Sequence, residues 1–487
     1  MTSRMHWHLV AAALVHALCG SSSFYSLTFL NDLQPFIQNF TREWGRHIYD
    51  TELSDASVVW VWGLLNSAVQ MGGLFSGLFI RIPLSVFGTK PTVMILKNVV
   101  QIAASALMFL AVQIKSIELF FVSLLLSGYA VSLTCLAVVF MTECAPTAHR
   151  GFVSSLSFIG TQLFLFLCLL LGLRQIMGTE LLWPYYLTVV PALFSLVHMA
   201  CYPLLPNSPK YLYITKERPD EARRAVLFYH GDQANVEDVF EEMRREDELA
   251  NSIKTVGYLK ILRTSHLAWP FWLCAATAQS PLACGVTIAG LYSTMILDQL
   301  SVPDRLAPVL TLVMLFGPSL PATFVGIFLI DKVGRRPLML GGFFLGVMAN
   351  LGLFIALLCG GTTGGAVMCG SMMVASIAYS IGPNFLLPMM PGELAPQASR
   401  PATAEFTLGI AACLPSLMAV VLFPSLQRLI GGFAVLPLLL LVLSLFFFFF
   451  KYLPETKGRS VEEIGRRWLP DEQITLLDDK SSYGAID

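Results

Sequence analysis

Twelve stretches of mostly apolar residues, each long enough to cross a bilayer, follow one another along this 487-residue chain. They run approximately over 8–30, 57–82, 91–113, 117–141, 152–173, 181–205, 266–296, 306–330, 337–359, 366–391, 401–426 and 431–452. A helix needs about 20 such residues to traverse a hydrocarbon core roughly 30 Å thick, and only helices or closed barrels satisfy every backbone polar group there without water. The pattern predicts an all-α membrane protein with twelve transmembrane helices. Composition agrees, since 13% of residues are charged and 55% hydrophobic, against about 25% charged in soluble domains. Small, polar or proline residues interrupt the first, seventh and tenth stretches. The first is too long, and too polar in its middle, for a cleaved leader, and reads as a retained span.

Charge and motif content exclude several classes of function. Lys plus Arg number 31 and Asp plus Glu 32, a net charge of −1, so no basic field exists to gather nucleic acid. The 10 cysteines lie within or beside apolar runs without a CxxC pair, which makes them packing residues rather than a disulfide framework or a metal site. No GxSxG, HExxH, P-loop or paired intramembrane carboxylates occur, so neither an enzyme nor a cofactor is expected. The partners that remain are the lipid bilayer and a small-molecule solute.

Orientation follows from the excess of Lys and Arg in cytoplasmic loops. A cytoplasmic N-terminus places Lys90, Arg150, Lys332, Arg335, Arg336, Arg400 and Lys451 inside, together with the basic residues of 206–265. Both termini are then cytoplasmic, and the Asn39-Phe40-Thr41 sequon falls in the first external loop, where Asn39 is available for glycosylation. The expected organisation is a six-helix bundle over 1–205, a cytoplasmic helical linker over 206–265, a second bundle over 266–452 and a cytoplasmic tail over 453–487. In the linker, Pro219 before Asp220 and Glu221, and Asn235 before Glu237 and Asp238, read as helix starts with acids at the positive end. In the tail, Glu472, Leu476 and Leu477 form an E-x-x-x-L-L sorting signal, which adaptors would read to place the protein at the plasma membrane, in endolysosomal membranes, or cycling between them.

The chain also repeats itself. Glu143-Cys-Ala-Pro-Thr-Ala-His-Arg150 and Glu393-Leu-Ala-Pro-Gln-Ala-Ser-Arg400 share E-x-A-P-x-A-x-R at an offset of 250 residues. Val86 to Pro91 returns loosely as Lys332 to Pro337 at an offset of 246, and Leu205-Pro-Asn207-Ser as Leu453-Pro-Glu455-Thr at 248. Three elements in one order at nearly one spacing indicate a duplicated six-helix unit. Parallel repeats of six spans suit a rocking transporter with its site near the midplane between halves. Glu143, Arg150, Asp331, Arg335, Arg336, Glu393 and Arg400 are candidates for an ionic latch at the cytoplasmic helix ends, pairing across the bundles when that side closes.

These residues give the chain a resemblance to the sugar-porter branch of the major facilitator superfamily, which contains the facilitative hexose transporters. Pro454-Glu-Thr-Lys-Gly-Arg-Ser460 matches that family's P-E-T-K-G-R-[ST] signature. Pro206-Asn-Ser-Pro-Lys210 resembles its P-E-S-P-R, Asp331 to Arg336 its [DE]-R-x-G-R-R turn, and Glu143 to Gly151 its E-x-x-P-x-x-x-R-G segment. The resemblance implies the major facilitator fold and a sugar cradle of polar side chains from the fifth, seventh, eighth, tenth and eleventh spans. Most of that cradle is replaced here. The cradle positions hold Phe158, Pro281, Leu282, Thr287, Ser319, Ser380, Pro388 and Ala411, while Gly382 and Pro383 are kept.

A site built of Phe158, Gln279, Thr287, Ser319, Ser380 and Asn384 offers few partners for a polyol that must replace its water hydrogen bonds. Proton-coupled relatives carry a carboxylate in the first span, and Ser21 to Thr28 has none. His16 and His198 read as helix-buried histidines with local hydrogen bonds. The sequence thus indicates facilitative, uncoupled transport of a small organic solute less hydroxylated than glucose. It leaves open a hexose uniporter with a rebuilt site, and a non-transporting sensor or interaction protein on the same scaffold.

Overall fold

The computed structural model describes residues 6–27, 29–146, 149–232, 235–252, 256–300, 302–303, 306–459 and 461–468. The sorting signal at Glu472, Leu476 and Leu477 lies outside the described residues, as does the side chain of Asp331. The chain is an all-α membrane protein of twelve spans in two six-helix repeats. In the first half they are Trp7–Leu18 continued by 3-10 turns over Gly20–Leu27, then Asp55–Phe79, Thr89–Gln113, Ile117–Cys144, Arg150–Gly172 and Trp183–Ala200. Ser54 and Ser116 start the second and fourth spans by accepting hydrogen bonds from the amides of Ser57 and Leu119, both at 3.2 Å.

The second half begins with a broken span, Ser265–Thr277, Ser280–Ala283 and Val286–Gln299. The eighth covers Ala307 to Val333, the ninth Arg335–Cys359, and the tenth Gly361–Ser380 then Pro383–Leu394. One apolar run of 53 residues, Arg400–Tyr452, supplies the last two spans. It turns at Gly431, whose φ of 58° ends Ala412–Ile430 before Leu436–Tyr452 begins. The interruptions expected in the first, seventh and tenth spans are present. Three single π-helical turns within the spans, over Thr92–Leu96, Leu312–Phe316 and Phe406–Ala411, and a fourth after the sixth span, over Tyr211–Thr215, were not legible in the sequence.

Between the halves lie three helices, Pro219–His230, Val236–Ser252 and Tyr258–Arg263. The side of the protein that carries them is here the linker face, and the other the far face. At the far face an amphipathic helix, Gln34–Tyr49, buries Ile37, Phe40 and Trp44.

Core packing is asymmetric across the membrane. One cluster draws buried residues from both halves, including Tyr25, Leu65, Phe120 and Tyr186 of the first and Ile288, Tyr292, Leu312 and Val420 of the second. It occupies the far-face side. Nearer the linker face the clusters divide by half, with Leu9, Val93, Phe140 and Val153 in one and Leu273, Phe343, Phe385 and Phe449 in another. The halves also touch where the second and eleventh spans cross. A methyl group on Gly77 would lie 2.4 Å from the Gly409 Cα, so only glycine permits that approach.

Candidate functional site

The break in the seventh span sets the centre of the molecule. Gly285, with a φ of 84°, ends the short Ser280–Ala283 turn and lets the helix restart. Asn350 of the ninth span donates to the carbonyls of Ala283 at 2.9 Å and Gly346 at 2.8 Å, supplying a donor to backbone that the break exposes. Gln279, just before the break, donates through Nε2 to the carbonyl of Ala411 in the eleventh span at 2.5 Å. Its Oε1 is buried without a hydrogen-bond partner among the described residues, an acceptor left open beside the break.

The other candidate residues are placed as follows. Phe158 is half-buried and packs against the second-half cluster containing Leu273 and Phe385. Ser319 is buried, with its hydroxyl donating to Phe316 O at 3.1 Å. Ser380 is buried just before the tenth-span break, and Thr287 and Asn384 are half-buried. Ser319 therefore spends its hydrogen on its own helix and Gln279 one of its amide hydrogens on Ala411, leaving acceptor capacity in greater supply than donors.

At the linker face most of the charged groups pair within their own half. Glu143 accepts a hydrogen bond from Ser208 and lies beside Lys210 and Arg150. In the second half Arg335 Nε reaches Glu393 Oε1 at 3.0 Å, and Thr456 Oγ1 donates to Glu393 Oε2 at 2.5 Å. Arg336 donates to Phe450 O at 2.7 Å, and Arg400 Nε to Ala395 O at 3.3 Å. The Glu455 carboxylate takes the amides of Arg335 at 2.9 Å, Arg336 at 3.1 Å and Lys457 at 3.0 Å. Burial opposes ionisation of Glu455, but these backbone donors and that of Thr456 outweigh it and hold the carboxyl below its ordinary value. Gly334, φ 101°, makes room, since a methyl there would meet the Glu455 carboxylate within 2.9 Å.

The equivalent turn of the first half is rebuilt. Asn207 stands where Glu455 does in the repeat, and its Oδ1 is buried without a hydrogen-bond partner. The space over Gly88, φ 83°, is closed by the Tyr211 ring. Lys90 turns away to donate to Leu205 O at 2.6 Å and to cover the Tyr202 ring at 3.9 Å from its centroid.

Four features went unread in the sequence. Arg81 of the linker-face end of the second span pairs with Glu405 of the eleventh, across the two halves. Asn31 ties the halves together at the far face through Ser293 and Thr294. Lys97 is wholly buried, donating to Gly20 O at 2.7 Å and Ser22 Oγ at 3.3 Å. Asp32 is buried with both carboxylate oxygens unpartnered. His16 and His198, expected to bond locally, instead bond to each other at 3.0 Å between the first and sixth spans, with His198 also 3.0 Å from Asn98. A single Lys or Asp beside an apolar run carries no periodic signal, so only the fold shows which of them is enclosed.

Asn39 is exposed on the far-face helix, and Thr41 of its sequon is buried, with its hydroxyl donating to Ile37 O at 2.8 Å. Among the described residues no cluster of metal-ligand side chains occurs.

The family model described as "Sugar (and other) transporter" matches residues 12–468. The mouse solute carrier family 2, facilitated glucose transporter member 9, is 28% identical over 479 residues, covering 96% of this chain and 86% of that protein. The sheep facilitated glucose transporter member 3 is 28% identical, covering 93% and 91%. Among solved structures, the inward-open xylose transporter XylE from E. coli superposes with a TM-score of 0.75 at 18% identity, covering 95% of this chain and 100% of that one.

Proposed function

Because the chain belongs to the sugar (and other) transporter family, we propose that it is a facilitative, uncoupled carrier that moves a small organic solute by alternating access between its two halves. The observation that carries this reading is the asymmetric seam, with one apolar core joining the halves on the far face while the buried residues of the linker-face cores divide by half, the half-buried Phe158 of the first resting on the second. That is one of two arrangements a rocking carrier must visit. The linker face is the cytoplasmic face in this reading, with both termini on it and Asn39 outside. The linker helices then connect bundles over 1–205 and 266–452. The linker-face charges Glu143, Arg150, Asp331, Arg335, Arg336, Glu393 and Arg400 act as the latch that re-pairs when this side closes.

The solute binds beside the seventh-span break, against Phe158, Gln279, Thr287, Ser319, Ser380 and Asn384. Relatives named as facilitated glucose transporters point to sugars. The apolar Phe158 and the Ser319 hydroxyl already bonded to its own helix favour a solute with fewer hydroxyls than glucose. A hexose uniporter with a rebuilt site is the second reading, supported by the free acceptor on Gln279.

Uptake into proteoliposomes over a panel of hexoses, polyols, urate and ascorbate tests the proposal. Saturable equilibration of one solute without accumulation is the expected result. Accumulation against a gradient overturns uncoupled transport, and no uptake of any solute favours a sensor. Glycosylation at Asn39 in cells is expected, and a cytoplasmic Asn39 overturns the orientation.

A further inference from the structure

We propose that Asp32 is a proton-binding site whose occupancy is linked to closure of the far face. The proposal rests on the alternating-access reading, because it needs a far face that opens and closes.

Asp32 ends the four-residue helix Phe29–Asp32, which leads out of the first span. The residue is 3% exposed, and among the described residues neither Oδ1 nor Oδ2 has a hydrogen-bond partner. It adjoins the polar tie between the halves. Asn31 Nδ2 donates to Ser293 Oγ at 3.0 Å, and Asn31 Oδ1 accepts from the Thr294 amide at 3.1 Å and its hydroxyl at 2.8 Å. Gln34 Oε1 accepts from the same hydroxyl at 3.0 Å. The short helix that carries the acid thus also carries the polar tie that closes the seam.

Among the described residues, no donor and no cation neutralises the carboxylate. Tyr25, Tyr186 and Cys168 are the titratable groups that face it, from the first, sixth and fifth spans. A methyl built on Gly172 would lie 2.6 Å from Tyr186 Oη and 2.8 Å from Asp32 Oδ2, so the two oxygens flank one glycine. Yet Tyr186 donates its proton to Cys168 O at 2.8 Å, and Tyr25 donates to Tyr186 O at 2.7 Å. The seventh span presents the hydroxyls of Ser293 and Thr294, and its one acid, Asp298, is exposed at the helix end. The first charged residue of the following helix is Arg42, which pairs with Asp55 at 3.1 Å.

An ionised carboxylate enclosed without donors or a cation is strongly disfavoured, while the neutral acid is far less costly to bury. When the far face opens, the Asn31 tie parts, water reaches Asp32 and its proton leaves to bulk solvent. Closing takes one proton back from that side. By linkage the effect is reciprocal: acid on the far side favours the closed face, and the closed face holds the proton. One proton per closure changes the closed-to-open ratio by at most about tenfold per pH unit, between the open-state and closed-state pKa values. This linkage biases orientation and requires no net proton transport with the solute.

The test uses the full chain with spin labels introduced by non-cysteine chemistry at Leu181, in a far-face turn of the first half, and Leu429, in the last turn of Ala412–Ile430 in the second, both exposed. Lowering the pH should enrich the short-distance population up to about tenfold per unit. Asp32→Asn should hold the short distance at every pH, and Asp32→Glu should keep the pH response. Two populations whose ratio ignores pH, or an equal response in Asp32→Asn, overturn the proposal while leaving alternating access intact. A single distance under all conditions, added solute included, overturns both. Should Asp32→Asn not fold, infrared spectroscopy of wild-type protein carrying isotope-labelled aspartate decides. A label-sensitive band of a protonated carboxylic acid at neutral pH supports the site, and its absence from the closed state overturns it.

Discussion

Arg81 NH2, just past the linker-face end of the second span, lies 2.5 Å from Glu405 Oε2 of the eleventh span in the other half. The remaining linker-face acids described here pair within their own half, which makes this ion pair a bridge across the seam. Arg81 is 65% exposed and Glu405 14%, so solvent screening limits the pair to about 0–1 kcal/mol. Arg81→Ala or Glu405→Gln is therefore expected to shift the balance of orientations by no more than about fivefold. Arg81→Glu should shift it further by repulsion, and Arg81→Glu combined with Glu405→Arg should restore it. Distances across the linker face, measured in all four proteins, check this.

The Gly77–Gly409 crossing sets a steric limit at the same seam. Gly77→Val places a side chain into backbone 2.4 Å from its Cβ, an overpacking that costs about 1–3 kcal/mol. Thermal unfolding of the purified protein should show a lower midpoint. Gly151→Val, where nothing lies within 4 Å of the added Cβ, should leave that midpoint nearly unchanged.

The Glu455 clamp carries a pH signature. Its carboxyl is held below the ordinary value near 4.5 by backbone donors, so its stabilisation is fully present above that value and is lost as pH falls through the lowered native value. Glu455→Gln, with one acceptor oxygen where Glu has two, should cost about 1–3 kcal/mol at neutral pH. The gap between the two proteins should close in acid. Melting curves against pH for both proteins read this directly.

Phe158 offers a gain-of-function test of the solute site. Phe158→Gln supplies an amide where the fifth span has none, and a hydrogen bond to a sugar hydroxyl contributes about 0.5–1.5 kcal/mol. Glucose affinity should rise by roughly twofold to tenfold. Unchanged glucose binding in Phe158→Gln, together with ordinary hexose affinity in the wild type, would remove Phe158 from the site.

The fold was legible because each span announces itself by length and hydropathy, and because E-x-A-P-x-A-x-R recurs. The turn that carries Glu455 was legible for the same reason, as part of a repeat, but its grip on the Arg335 and Arg336 amides was not. What the sequence concealed was enclosure. Asp32 stands near Ser21 to Thr28, where the absence of a carboxylate suggested uncoupled transport, and nothing in the local pattern says that its side chain turns inward. Lys97 in the third span and the bond between His16 and His198 depend on how helices rotate against one another, which hydropathy does not encode. The π-helical turn at Phe406–Ala411 adds a residue to its turn, shifting which side of the eleventh span meets Gln279.

The far-face core gives the carrier a thermal character. In the proposed cycle, joining Leu65, Phe120, Ile288, Leu312 and Val420 removes hydrocarbon from water each time that face shuts, and such burial is driven by solvent entropy with a large negative heat-capacity change. Its driving force fades on cooling, whereas hydrogen bonds such as those of Asn31 do not share that dependence. Chilled protein is expected to drift toward the far-face-open form and warmed protein toward the shut form. A temperature series of the Leu181-to-Leu429 distance would then trace a curved rather than a straight van't Hoff plot.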